Sequence, residues 1–127
     1  MGLTMTSAPS VEPVTTAEAK AHMRIDHSDD DTLIGSLVTA ARENCEHHTR
    51  RALISQTWQW KLDAWPKGGV FYVPKAPLQS VTSITYVDEA GATQTLSASL
   101  YDVDTSAQPG RIVPAYNEDW PSARSTT

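Results

Sequence analysis

The sequence predicts an α+β protein in which helices come first and a small antiparallel sheet follows. Between Asp30 and Arg50, apolar residues recur at spacings of three and four. From Ser55 onward the period drops to two, and clusters of Gly, Pro, Ser and Asp punctuate the chain at short intervals. Helices grouped before strands argue for α+β rather than for a parallel sheet with crossover helices.

Residues 1–13 are rich in Ser, Thr, Pro and Met without periodicity, and read as a flexible N-terminal arm. "VTTAEAKAHMRI" reads as a short helix, with Thr15 or Thr16 as cap, Glu18 in the first turn, and Val14, Ala17, Ala21 and Ile25 turned to the core. A longer helix is expected from about Asp30 to Arg50, with Leu33, Ile34, Leu37, Val38, Ala41 and Cys45 as its apolar stripe. The opposite face carries Thr32, Ser36, Thr39, Arg42, Glu43, Glu46 and Arg50, with Arg42 and Glu46 spaced for an i,i+4 pair.

In "TWQWKLDAW", Trp58, Trp60, Leu62 and Ala64 alternate with polar residues, as in a strand with one buried face. Val70–Val73 is a second strand, which Pro74 ends. Val81–Val87 and Thr93–Leu96 flank a turn at Asp88–Gly91 and form a hairpin. "YDVD" and "GRIVPA" supply two more short strands. The expected organisation is one domain over residues 14–121, helical over 14–54 and mainly β over 55–115, with a polar tail at 122–127.

At 127 residues the chain suits one domain. A net charge of -5 offers no general field for nucleic-acid phosphates, and the local candidate of Arg42, Arg50 and Arg51 is thin. One cysteine, Cys45, cannot form an internal disulfide and is expected to be a buried thiol in a reducing compartment. No apolar run reaches the roughly 18 to 20 residues of a bilayer span, and "MGLTMTSAPSVEP" lacks the features of a signal peptide.

Two clusters invite chemical readings. In "DHSDDD", a calcium loop starting at Asp26 would need glycine and glutamate where Asp31 and Leu37 stand. A helix start explains the stretch better: Ser28 or Asp29 caps the first turn, and Asp30 and Asp31 complement the helix dipole. Glu43, Cys45, His47 and His48 are zinc-binding types, yet on one helix only Glu43 and His47 share a face. No cofactor, metal site or catalytic set is read, and no nucleotide-binding or nucleophile motif is present. Two alternatives stay open: a small metal-dependent enzyme using Asp26–Asp31 with His27, and a single-strand nucleic-acid binder stacking bases on Trp58, Trp60, Trp65, Phe71 and Tyr72.

The colinear series "AEAKAHMRID", "TRRALISQTW" and "PLQSVTSITYVDEAG", spread over Val14 to Pro121, resembles the head-tail connector (adaptor) proteins of tailed bacteriophages, prophages and gene transfer agents. The resemblance implies a non-enzymatic structural protein of the virion neck, made in the bacterial host. It implies a ring of about twelve copies under the portal protein, extending the DNA channel and docking tail-completion or stopper proteins, with DNA only in transit and no membrane. Members of the family continue past "WP" into a strand, a turn and a C-terminal helix, whereas here "SARSTT" follows. Without that helix, Leu33, Leu37 and Ala41 are expected to be partly uncovered. Expected interaction residues are Arg42, Glu46, Arg50 and Arg51 on an exposed helix face, Phe71 and Tyr72 at a sheet edge, and Asp88, Glu89 and Gly91 in the hairpin.

Overall fold

The computed structural model describes residues 1–124, so the last three residues of the expected 122–127 tail lie outside the described residues. The described residues divide into two compact units, residues 5–59 and residues 1–4 with 60–124. The fold is α+β, with helices early and short antiparallel strands late. Gly2–Ser7, expected to be part of a flexible arm, forms strand β1, which pairs with β2 (Thr57–Lys61) in a two-stranded ribbon. Along β2, Trp58 and Trp60 are half-buried between exposed Thr57, Gln59 and Lys61, the alternation expected from the sequence.

In the helical unit, α1 (Thr16–Met23) starts at a capping box. The Thr15 hydroxyl accepts the Glu18 N–H at 3.1 Å, and the Glu18 carboxylate accepts the Thr15 N–H at 2.8 Å. Helix α2 (Asp31–Thr49) has Asp30 as its N-cap, without a side-chain cap bond. The expected cap by a Ser28 or Asp29 side chain is therefore corrected: Ser28 contributes its backbone carbonyl, which accepts the Asp31 N–H. Asp31 instead meets Lys20 Nζ at 2.7 Å and ties the two helices together.

The buried face of α2 is rotated from the expected stripe. Ile34, Arg42 and Glu46 are buried, with Gly35, Val38 and Thr39 half-buried beside them. Leu33 and Leu37 are 58% and 57% exposed, and Ala41 and Cys45 are exposed as well, so the thiol expected to be buried is not. The reason is the arm: Glu12 folds onto the face carrying Thr39 and Arg42, and residues 53–56 cover Glu46.

Arg42 sits at the centre of this packing. Its Nε donates to Glu12 at 2.7 Å and its Nη1 donates to Glu46 at 2.9 Å. Glu12 also accepts the Thr39 hydroxyl at 2.9 Å, while the second oxygen of Glu46 accepts the Leu53 N–H at 2.8 Å and the Gln56 amide at 2.7 Å. Gln56 in turn accepts the Trp58 indole N–H. A buried guanidinium held by two carboxylates, each with further donors, satisfies the condition under which buried charge is tolerated. The Arg42 hydrogen bond holds the Glu12 carboxyl below its ordinary value. Burial pushes Glu46 up, but the Leu53 N–H, Gln56 and Arg42 outweigh it, and the net direction is down. Arg42 itself is held charged, chiefly by its hydrogen bond to Glu12.

In the sheet unit, β3 (Phe71–Tyr72), β6 (Tyr101–Asp104) and β7 (Arg111–Pro114) form an antiparallel sheet in the order β3-β7-β6, with Ile112 opposite both Phe71 and Val103. β4 (Thr85–Val87) and β5 (Thr93–Thr95) form the expected hairpin. Phe71, Leu96, Tyr101 and Ile112 are the buried centre, and Trp60, Leu62, Trp65, Ile84 and Trp120 pack around it. Trp120 stacks on Trp65 at 5.0 Å, donates its indole N–H to the Gly69 carbonyl, and brings the chain back to β4, where the Arg124 N–H reaches Val87 O. Buried Gly110 must be glycine, because a Cβ there would overlap the Leu78 side chain, lying 2.8 Å from its Cδ2.

Three outcomes follow for stability. Gly110→Ala should cost about 1–3 kcal/mol in urea unfolding, since Leu78 has to move. Arg42→Ala leaves Glu46 buried without its cation and should cost about 3–5 kcal/mol by the same measurement. Glu12 and Glu46 titrate lower folded than unfolded, so their contribution is complete above the ordinary value of 4.5 and is lost as pH falls through the folded values. Stability measured from neutral pH down to about pH 3 should therefore fall more steeply in the natural chain than in Glu12→Gln, which should start lower near neutrality.

Candidate assembly surfaces

The structure separates the expected interaction residues into buried and presented groups. Arg42 and Glu46, expected on an exposed helix face, are 6% and 4% exposed and belong to the buried charge network. Arg50, one turn beyond Glu46, is exposed and ends α2 in the left-handed region, at φ 56°, with its N–H on the Glu46 carbonyl. Arg51 is half-buried, and its N–H also turns back to that carbonyl. Of the four helix-face candidates, only the Arg50–Arg51 corner is therefore presented.

The sheet-edge pair splits in the same way. Phe71, expected at the surface, is 7% exposed and packs edge-on to Trp60, Trp65 and Trp120 at 5.1 to 6.0 Å. Tyr72 points the other way from edge strand β3 and is 57% exposed. Period-two alternation on a two-residue strand is enough to send these neighbours to opposite faces.

The hairpin presents its tip on a stiff frame. The Asp88 carboxylate accepts the Gln94 amide and the Ala92 N–H, each at 2.9 Å, and these donors hold it below its ordinary pKa. Asp88 also accepts the Gly91 N–H on its backbone carbonyl, and Gly91 adopts φ 88°, a conformation glycine takes without strain. Glu89, Ala90 and Gly91 are exposed at the tip. A Cβ at Gly91 would meet the Arg124 guanidinium at 3.5 Å, so the end of the described chain runs beside the turn.

Two groupings escaped the sequence reading. Glu12 sits between apolar residues in "SVEPV", and the only signal of its role was a lone charge in an otherwise uncharged arm. Asp104 and Arg111 are directly opposed across β6 and β7, and Ser106 caps Asp104. The Ser106 hydroxyl and then Arg111 hold the Asp104 carboxyl far below its ordinary range.

In the aspartate stretch, His27 Nδ1 lies 3.9 Å from Asp29, and Asp31 is engaged with Lys20. Among the described residues, no group of three or more His, Cys, Asp or Glu side chains converges to hold a metal ion, and no helix is long and apolar enough to cross a membrane. Trp60, Trp65 and Phe71, considered above as base-stacking platforms, cover one another in the sheet unit's core.

Among solved structures, the chain is similar to one in the neck of an empty gene transfer agent (GTA) particle computed with C6 symmetry, with a TM-score of 0.79 and 26% identity over 96% of this chain and 65% of that one. It is similar also to a chain in the virion of a native GTA particle, with a TM-score of 0.77 and 26% identity over 97% of this chain and 65% of that one. The chain thus spans 65% of the length of these relatives. No curated protein matches it. The family model described as "Phage gp6-like head-tail connector protein" matches residues 14–109. That match runs through both helices and into the sheet unit, and the chain belongs to the family of phage gp6-like head-tail connector proteins.

Proposed function

We propose that this chain is a structural adaptor of the virion neck, assembling as a closed ring beneath the portal protein. The ring extends the DNA channel and offers its far face to a tail-completion or stopper protein. The observation that carries this reading is the similarity, over nearly the whole chain, to a chain in a GTA particle neck. That neck was computed with sixfold symmetry, and a ring of about twelve copies is compatible with a sixfold axis. The work asked of the chain is contact and shape rather than chemistry, and the net charge of -5 suits a channel wall that does not hold passing DNA.

Within this reading, the Arg50–Arg51 corner contacts the portal or a neighbouring copy. Tyr72 on the β3 edge and the Asp88–Gly91 tip contact neighbours. A corner fixed by a helix end and a tip fixed by internal hydrogen bonds present their side chains with little ordering cost on binding.

Native mass spectrometry of the chain, alone and mixed with the portal protein of the same genome, tests the reading. A species of about twelve chains, or a complex with the portal, is the expected result. A chain that stays monomeric and ignores the portal overturns it. Reversing the corner with Arg50→Glu and Arg51→Glu should weaken the assembly about tenfold or more while the circular dichroism spectrum is unchanged. Unchanged assembly would remove the corner from the contact.

A further inference from the structure

Strand β1 holds its place with little of its own surface. Of Gly2–Ser7 only Leu3 is half-buried, and the other five residues are exposed. Met5, the other large apolar side chain of the strand, is 37% exposed. At its ends the strand is tied by an exposed ion pair from the Met1 ammonium to Asp63, at 3.1 Å, and by the Thr6 hydroxyl on the Thr57 carbonyl, at 3.2 Å. Ion pairs this exposed hold weakly.

For β2 the pairing matters more. Within its two-stranded sheet β1 is its sole partner, so a departing β1 would leave a row of unpaired backbone groups beside Trp58 and Trp60. The edge therefore demands a strand, while the strand that fills it adds backbone hydrogen bonds and few side-chain contacts. Any copy of Gly2–Ser7 meets that demand equally.

The tether permits the exchange. Glu12 is clamped by Arg42 and Thr39, so the arm has one fixed point, and Ala8–Val11 between that point and the strand form no helix or strand. Four extended residues reach about 14 Å, enough for an adjacent copy and too little for a distant one.

We infer that β1 is an exchangeable strand, and that in the assembled ring Gly2–Ser7 of one copy pairs with β2 of the next. The inference rests on the ring reading above. Each copy donates one strand and accepts one, so a closed ring leaves no β2 edge empty, and the number of strand pairings equals that in separate chains. Contacts that are the same within and between chains make the change depend on proximity, which the ring supplies.

Engineered cysteines test this in a Cys45→Ser background, which removes the exposed natural thiol. Thr6 and Thr57 are both exposed and lie across the ribbon from each other. The double variant T6C/T57C at low concentration should close within one chain, seen as a two-proton mass loss without a dimer. Failure to close would show that the strands do not pair as described and would overturn the inference. Chains carrying only T6C are then mixed with chains carrying only T57C, alone and with the portal protein, and oxidised. The expected result is a linked T6C–T57C dimer in the assembled fraction, well above a control mixture of T6C with S99C. Rings that form without that link overturn the exchange and leave the ring reading standing. Absence of any assembly overturns both.

Discussion

A guanidinium buried in a small protein must be surrounded by acceptors, and where those acceptors come from dictates much of this fold. Arg42 takes one carboxylate from its own helix, one turn away, and one from the N-terminal segment. The first of these, Glu46, uses its remaining oxygen to hold the backbone just past the helix. One charge thereby fixes three stretches of chain that have little apolar surface with which to fix themselves. The arm lies where it does because of this charge, and the α2 face that would otherwise be solvated becomes the interior one.

The sheet unit solves a similar shortage by a different route. Its strands are two to four residues long from β3 onward, and hydrogen bonding between such strands is marginal without a packed face. Aromatic side chains supply the face. Trp60, Trp65, Phe71 and Trp120 meet edge-on or stacked and gather short segments from distant parts of the sequence around Ile112 and Tyr101. What reaches the surface is then decided by strand alternation, which turns Phe71 inward and Tyr72 outward.

Most elements were legible in the sequence because their signals are local. The helix start at Thr15 or Thr16 with Glu18 in the first turn, the alternation along β2, and the hairpin around Gly91 each depend on residues a few positions apart. The rotation of α2 was not legible. Leu33, Leu37, Ala41 and Cys45 form as good a stripe as Ile34 and Val38, and the choice between overlapping stripes was made by Glu12, thirty positions from Arg42. The same nonlocal pair misplaced Arg42 and Glu46, since an i,i+4 ion pair reads as a solvated face unless a third charge is known to lie over it. Phe71 was misplaced because a two-residue strand carries no periodicity to read. The family resemblance rested on the order of segments rather than on any one residue, and so it was insensitive to these errors.

The ribbon of β1 and β2 also bears on how the protein is made. A ribosome delivers β1 first, and Thr57 emerges 51 positions after Thr6. At about 5–20 residues per second, the first strand waits roughly 3 to 10 seconds for its partner. Through that interval the newborn chain carries a short, exposed, unpaired strand, and on a crowded message the nearest completed edge belongs to the chain ahead. Pairing between copies can therefore begin during translation, before the newer chain has made a β2 of its own.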